Sequence, residues 1–287
     1  MNILEFFIEY KLLLEYLFTS NWFFDKSNEG HPAYKQHKVC STILNQKGII
    51  HYPYDKELLF DIARISLDSL IISNTISPEC SEYYSDIDVY EKIKSRIAIP
   101  TQFEDLMIEL YTGAWYKSKN HVVVPLENTG YPDMQVEIPG TSDLLYVECK
   151  HLHTTSHARL RKVIKKANNQ IKKAASDNTN ESYGTMVIDV SKSLPNIQQE
   201  DGSKPELIKQ FEQITQSALG GHKNRSVGAA ILVWDDFIIL GSPPKRTQVA
   251  FRRNHTRINN QDNTIPISIP LFEGYSVVYG LQWNAKI

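Results

Sequence analysis

One stretch of the chain, residues 131–150 (YPDMQVEIPGTSDLLYVECK), limits the fold more than any other. Residues 133–138 alternate polar and apolar side chains, which is typical of a half-buried strand. Residues 144–149 have the apolar character of a second strand, and residues 139–142 (PGTS) between them have the composition of a turn. The stretch therefore predicts an antiparallel β-hairpin.

The register of this hairpin would bring two carboxylates together. We take Ile138 as the partner of Asp143 across the turn. Counting back along the ladder from that pair sets Asp133 directly opposite Glu148, and alternation puts Lys150 on the same face. Like charges at that position are destabilising, so we expect a cation between them, and Mg²⁺ is the natural candidate. The alternative is an exposed hairpin whose acidic and basic side chains are only solvated.

The whole chain of 287 residues has a formal net charge of −2, so a nucleic-acid partner would require a local basic patch. Three cysteines, none in CxxC spacing, favour a reducing compartment without a disulfide framework. The apolar N-terminal segment is interrupted by charged residues and has no basic start. We therefore expect a cytoplasmic protein that does not span a membrane.

The first part of the chain, residues 1–100, predicts a mostly helical region of unknown role. Apolar periodicity is clearest over residues 10–19 and 55–73. Residues 20–54 are rich in Asn, His, Lys and Tyr and predict a loop, apart from a short run at 39–44. A homo-oligomer formed through this region is one role that remains open.

The remainder, residues 101–287, predicts an α/β domain around a mixed sheet. Its first part has the order helix, strand, strand, strand, helix, strand. The predicted elements are a helix over 101–116 that starts with a capping box, a strand over 121–127, the hairpin, a helix over 156–175 and a strand over 183–190. A further helix is predicted over 205–219, a long strand over 227–240 and weaker strands within 247–280.

These residues resemble the PD-(D/E)xK nuclease superfamily, which has the restriction-endonuclease-like fold. The resemblance rests on Pro132-Asp133, on Glu148-Cys149-Lys150 closing a strand, and on a preceding helix that opens with Phe103-Glu104. It covers roughly residues 101–191, and the αβββαβ core of the superfamily matches the predicted order. The superfamily typically hydrolyses phosphodiesters in DNA, sometimes RNA, using Mg²⁺ or Mn²⁺. A second acid-x-Lys match, Glu9-Tyr10-Lys11, lies in a helical pattern without a partner acid.

The resemblance implies roles for particular residues. Asp133 and Glu148 would hold the metal, and Lys150 would position the attacking water or stabilise the transition state. Glu104 matches an acid that many relatives carry on the first core helix as a further metal ligand; it is also the capping-box residue. Gln170 matches a glutamine that several branches place on the helix after the lysine, facing the site, although a solvated helix position is the equal alternative.

Three other acids near these positions are set aside. Glu109, on the polar side of the first core helix, is the less favoured alternative to Glu104. Asp143 has the wrong strand parity to join Glu148, and Glu137 lies at the turn end of the hairpin. Cys149 with His151, His153 and His157 suggests zinc, but these residues do not complete a ligand set with a recognised spacing, so we do not expect a zinc site.

Basic residues dominate the helix that follows the hairpin. Between residues 150 and 173 there is no acid, and next to a metal site this run predicts a surface that contacts phosphates. Its members include Arg159, Arg161, Lys162, Lys165 and Lys166. A second cluster, which includes Arg252 and Arg253 beside Phe251, is predicted to contact the backbone or stack a base. The alternative for the helix is a solvated basic face.

The sequence thus favours a metal-dependent nuclease that uses Mg²⁺ or Mn²⁺, with DNA as the preferred nucleic-acid substrate and endonucleolytic cleavage as the preferred activity. By analogy alone, such a protein belongs in restriction or antiphage defence. The alternative is a catalytically inactive module that keeps the fold and binds nucleic acid or assembles with other proteins. Retention of two mutually repelling carboxylates beside a lysine argues against that alternative.

Overall fold

The structure is a computed structural model. It describes residues 3–46, 49–52, 61, 65, 95–126, 129–152, 154, 156–178, 180–194, 204–220, 226–240, 247–266, 269–273 and 275–285. The α-helices with described ends are α1 (Ile3–Phe18), α2 (Pro32–Asn45), α3 (Pro100–Ser118), α4 (His157–Ser176) and α5 (Glu206–Leu219). None of the helices in the described ranges combines the length and apolar character needed to cross a membrane.

The strands form one mixed sheet in the order β1-β8-β7-β6-β5-β4-β3-β2. Their bounds are β1 (Ile49–Tyr52), β2 (Val122–Pro125), β3 (Met134–Glu137), β4 (Leu144–His151), β5 (Ser182–Asp189), β6 (Ala229–Leu240), β7 (Thr247–Asn259) and β8 (Tyr275–Ala285). Strands β4, β5 and β6 run parallel, as do β1 and β8, and the other neighbours are antiparallel. The predicted α/β class with a mixed sheet is confirmed, and α3-β2-β3-β4-α4-β5 follows the predicted element order.

The hairpin has the predicted register. Met134 pairs with Val147, and the backbone N–H of Ile138 donates to the carbonyl of Asp143 at 3.3 Å. Gly140 takes a φ of 80° in the turn, a conformation that favours glycine because it has no Cβ. Extending the ladder by one residue beyond Met134 places Asp133 beside Glu148.

Strand β4 lies inside the sheet and is covered on both faces, so its side chains divide between two cores. Leu145, Val147 and Cys149 belong to the core on the α3 side. Leu144 and Tyr146 belong to the core on the α4 side, where the apolar residues of α4 recur every three or four positions. The two helices therefore hold β4 in place from opposite faces.

Helix α3 begins one residue earlier than its predicted capping box. Pro100 occupies the first turn and Ile99 is the N-cap, without a side-chain cap hydrogen bond. Proline suits this position because the N–H that it lacks would have no partner within the helix. The capping-box prediction for residues 101–104 is therefore wrong, and Glu104 lies further inside the helix than a capping residue would.

The N-terminal region differs from its prediction over residues 20–54. Helix α2 and strand β1 both lie within the predicted loop. The polar composition of α2 hides an apolar spacing that buries Ala33, Cys40 and Ile43. The predicted helix over 55–73 lies outside the described residues except at 61 and 65. Helices α1 and α2 pack together and contribute to the same core as α3, and β1 is hydrogen-bonded to β8.

Candidate functional site

The β3–β4 hairpin and the start of its first strand bring two carboxylates and a lysine together. Asp133 accepts a hydrogen bond through Oδ2 from the backbone N–H of Cys149 at 2.6 Å. The Lys150 Nζ lies 3.6 Å from the same Asp133 oxygen, contacts Oε1 of Glu148, and donates to the carbonyl of Cys149 at 2.8 Å. The structure therefore groups the three residues as the hairpin register predicted.

Glu148 is the buried member of this group. Its side chain is 0% exposed, whereas Asp133 and Lys150 are each about one-fifth exposed and form the solvent side. Apart from the ion pair with Lys150, neither carboxylate oxygen of Glu148 has a hydrogen-bond partner among the described residues. A buried carboxylate without hydrogen bonds is expensive unless a cation satisfies it.

The ionisation of the group reflects this burial. Burial, and then the negative charge of Asp133, raises the pKa of Glu148 to about 8. Burial alone would lower the pKa of Lys150, but Asp133 and Glu148 outweigh it and hold that pKa above its usual value. The lysine thus stays charged and partly compensates the two acids.

The donor set fits a hard divalent cation. Asp133 and Glu148 offer carboxylate oxygens, the ligand type that Mg²⁺ prefers, and the unsatisfied oxygens of Glu148 lie where such an ion would be needed. Within the described ranges, no group of three or more His, Cys, Asp or Glu side chains is arranged to hold a metal ion. Among the residues considered for zinc, His153 lies outside the described part of the chain.

Glu109 on helix α3 interacts electrostatically with Asp133, Glu148 and Lys150. Burial, and then the charge of Asp133, raises the pKa of Glu109 to about 8, and Lys150 acts in the opposite direction. Arg96 forms a bidentate pair with Glu109 at 2.7 and 2.8 Å. The sequence pattern had placed Glu109 on the polar side of its helix. The apolar Leu106 and the small Gly113, one turn before and one turn after Glu109, were the signal that it faces inward.

Glu104, the predicted third metal ligand, contacts a different set of residues. It pairs with Lys192, and its Oε2 lies 3.5 Å from Nδ1 of His151. It lies nearer the N-terminal end of α3 than Glu109 does, more than one helical turn away. The structure therefore brings Glu104 to a second cluster, whereas Glu109 is the α3 acid that acts on Asp133.

Gln170 faces the segment that carries Asp133. Its Nε2 donates to the carbonyl of Tyr131 at 2.6 Å, and its Oε1 is buried without a hydrogen-bond partner in the described part of the chain. Tyr131 makes two more contacts with α4: its ring lies 4.3 Å from Nζ of Lys173, and its hydroxyl donates to Asp177. Gln170 is therefore packed against the hairpin rather than solvated.

The basic residues predicted on α4 all reach solvent. Its buried face carries Leu160, Ile164 and Ile171, and the exposed face carries the predicted cations. These are Arg159, Arg161, Lys162, Lys165 and Lys166, together with Lys172 and Lys173. The helix thus presents a continuous positive surface, which we call the α4 basic face.

The other predicted cations, Arg252 and Arg253, are engaged inside the sheet. Pairing of β6 with β7 sets Asp236 opposite Arg252 and Asp235 opposite Arg253. The guanidinium of Arg253 donates to Asp235 at 2.6 and 2.8 Å, and its side chain is only 4% exposed. The prediction that Arg253 contacts nucleic acid at the surface is therefore corrected. Asp236 and Asp235 on β6 neutralise Arg252 and Arg253 on β7.

No family model and no curated protein sequence matches this chain.

Proposed function

We propose that this protein is a metal-dependent nuclease of the PD-(D/E)xK type that hydrolyses phosphodiester bonds, with DNA as its preferred substrate. The observation that carries the proposal is the placement of Asp133 beside Glu148 on neighbouring strands, with Lys150 on both acids. The element order α3-β2-β3-β4-α4-β5 supports the same assignment. A role in restriction or antiphage defence would suit such an activity.

Asp133 and Glu148 would hold a Mg²⁺ or Mn²⁺ ion, and Glu109 is the next carboxylate in their electrostatic field. A bound ion would neutralise phosphate charge and lower the pKa of its water. Lys150, the cation beside both acids, would stabilise negative charge on the phosphate. Its raised pKa keeps it cationic for this role.

The α4 basic face supports nucleic acid as the substrate. Helix α4 follows β4 in the chain and packs against it, so the helix that carries the cations is a neighbour of the strand that carries Glu148 and Lys150. Cations along one helix are suited to the phosphates of a strand, and they bind without reading its sequence. Substrate would thus be held by α4 while the hairpin carries out the chemistry.

The test is cleavage of plasmid DNA and of single-stranded DNA and RNA by purified protein with Mg²⁺ or Mn²⁺. We expect cleavage that stops in EDTA. Asp133→Asn, which can still accept from the Cys149 N–H, and Lys150→Ala should each lower the rate at least about a hundredfold while binding persists. Asp143→Asn, at the turn end of the hairpin, is the matched control.

Two outcomes would count against the proposal. Cleavage that survives both Asp133→Asn and Lys150→Ala would show that the chemistry lies elsewhere. Binding of nucleic acid without cleavage, across both metals and all three substrates, would favour the inactive binding module.

A further inference from the structure

A cavity of about 440 Å³ lies on the α3 side of the sheet. Its walls come from α2, the first turns of α3, and the carboxyl ends of the parallel strands β4 and β5. Small-molecule sites commonly measure about 300–1,000 Å³, and the carboxyl ends of parallel strands are where α/β proteins place them. The lining includes neither Asp133 nor Glu148, so the cavity is distinct from the proposed metal site.

The charged groups in the cavity wall compensate one another. The His151 ring lies between two carboxylates, with Nδ1 3.5 Å from Glu104 and Nε2 3.9 Å from Asp189. Lys192 pairs with Glu104, and Arg253 is held by Asp235 outside the lining. A bare metal ion or a compact anion inside the cavity would have to break the contacts of His151 with its two carboxylates. The inner wall therefore suits a neutral group that forms hydrogen bonds, whereas Lys192 lies at the exposed edge.

The wall is also rich in hydrogen-bonding groups that are shielded from water. The side chains of His151 and Arg253 are 3% and 4% exposed. Burial would raise the pKa of Asp189, but His151 and Arg253 hold it down to about 2, so this carboxylate remains an acceptor. A ligand inside would meet donors and acceptors side by side.

The lining also includes apolar side chains from two helices. These are Phe103, Met107 and Ile108 of α3 and Val39 of α2, together with Ile65. Apolar side chains beside hydrogen-bonding groups suit a flat heterocycle with polar atoms on its rim.

The exposed part of the lining carries two lysines and an acid. Lys35 and Asp61 are exposed, and Lys192, the partner of Glu104, is 34% exposed. A phosphate attached to a buried heterocycle would be attracted by the two lysines and would compete with Glu104 for Lys192, whereas an uncharged tail would gain nothing from them.

We propose that this cavity binds a nucleobase, with its sugar phosphate directed to Lys35 and Lys192. The base comes either from a free nucleotide or from a nucleotide turned out of a strand. This inference goes beyond the nuclease proposal and does not rest on it, because binding requires neither the acid pair nor Lys150. Asp133→Asn should accordingly leave base binding unchanged, even if no nuclease activity is found.

The first arm of the test uses free ligands, namely the four common nucleosides and their monophosphates, added to the full chain. We expect at least one to raise the melting temperature and to bind in calorimetry. Val39→Trp, which fills the cavity from α2, should abolish that binding, and Lys38→Trp on the exposed side of α2 should retain it. Replacing Lys35 and Lys192 together by alanine should weaken the monophosphate at least about fivefold more than its nucleoside.

The second arm uses single-stranded oligonucleotides that contain 2-aminopurine, whose fluorescence changes when the base leaves the stack. A change that is lost in Val39→Trp and kept in Lys38→Trp assigns the base to a strand. The proposal is overturned if neither arm gives a signal, or if the signal persists in folded Val39→Trp. Should Val39→Trp fail to fold, the double lysine variant decides, and an unchanged preference for the monophosphate overturns the proposal.

Discussion

Glu148 is a carboxyl group whose folded environment favours its neutral form. Burial removes water from it, and Asp133 opposes a second negative charge. Lys150 offsets part of this cost, yet the pKa of Glu148 still lies at about 8. A metal ion at this position would compete with a proton for the same oxygens, so binding of the ion releases that proton.

The same ionisation makes the stability of the metal-free protein depend on pH. The folded pKa of Glu148 is above its ordinary value, so the folded state holds a proton that the unfolded state has lost. Stability should therefore be greatest below about pH 4.5 for this group and fall as pH rises to about 8, by up to roughly 1.4 kcal/mol per pH unit. Urea unfolding with EDTA present, at several pH values, measures this slope.

Glu148→Gln cannot ionise and should make the slope shallower, although Glu109, whose pKa is raised in the same direction, retains part of it. Glu137→Gln, at the exposed end of β3, should leave the slope as it is in the unmodified protein. Equal slopes in all three proteins would contradict the ionisation assigned to Glu148.

At the scale of elements, helix α4 both supports the hairpin and carries the basic face. It holds Tyr131 through Gln170, Lys173 and Asp177, and Tyr131 lies two residues before Asp133. Lys166 of the α4 basic face lies one turn before Gln170 on the same side of the helix. A single rigid helix thus links the surface proposed for phosphate contact to the segment that positions the first metal ligand.

Gln170→Ala should loosen Asp133 without removing any group of the acid pair. We expect the Mg²⁺ concentration for half-maximal cleavage to rise about fivefold, equivalent to about 1 kcal/mol for one lost hydrogen bond. DNA affinity, measured by gel shift with EDTA present, should stay the same. Asn169→Ala on the adjacent exposed position is the control. A fall in maximal rate at saturating Mg²⁺, with no change in metal requirement, would instead assign Gln170 to the chemical step.

The α4 basic face makes a prediction about salt. Lys162 and Lys166 are one turn apart, so a DNA backbone that contacts one can contact the other. Replacing both by alanine should weaken binding and reduce the slope of log affinity against log salt by about 0.9 for each phosphate that the variant no longer neutralises. The paired control replaces Lys26 and Lys38, exposed lysines of the N-terminal region. Equal slopes in the two double variants would exclude the α4 basic face as the binding surface.

At the scale of the whole molecule, the N-terminal helices share a core with the sheet. Phe7 and Tyr10 of α1 belong to the same cluster as Phe103 of α3 and Val187 of β5. Another side of α1 exposes Ile8, Leu12 and Tyr16, and homo-oligomer formation through this region stays a prediction. The N-terminal helices are therefore part of the main core.

Phe7→Ala should destabilise the entire protein by about 3–5 kcal/mol, because it leaves a cavity in the shared core. Phe24→Ala is the matched control: Phe24 is 82% exposed, and its removal should change stability by no more than about 0.5 kcal/mol. Urea unfolding followed by both circular dichroism and tryptophan fluorescence measures the two effects. A separate, early transition that alone responds to Phe7→Ala would mean that residues 1–100 unfold as an independent unit.

Features that depend on neighbours along the chain could be predicted from the residues alone. Strand alternation and a short turn fixed the register of the hairpin, because a ladder closed by four residues admits few other pairings. The same reasoning placed Asp133, Glu148 and Lys150 on one face and the cations of α4 on its solvent side.

The distant residues that contact this group could not be predicted in the same way. The way α3 packs on β4 places Glu109, rather than Glu104, in electrostatic contact with Asp133. The two glutamates are little more than one helical turn apart, so the sequence does not show which of them faces Asp133. Pairing of β6 with β7 likewise assigns Arg253 to Asp235. Packing between elements that are distant in the chain sets the partners of Asp133 and Arg253. The periodicity within one helix or strand does not show which of its faces will meet which neighbour.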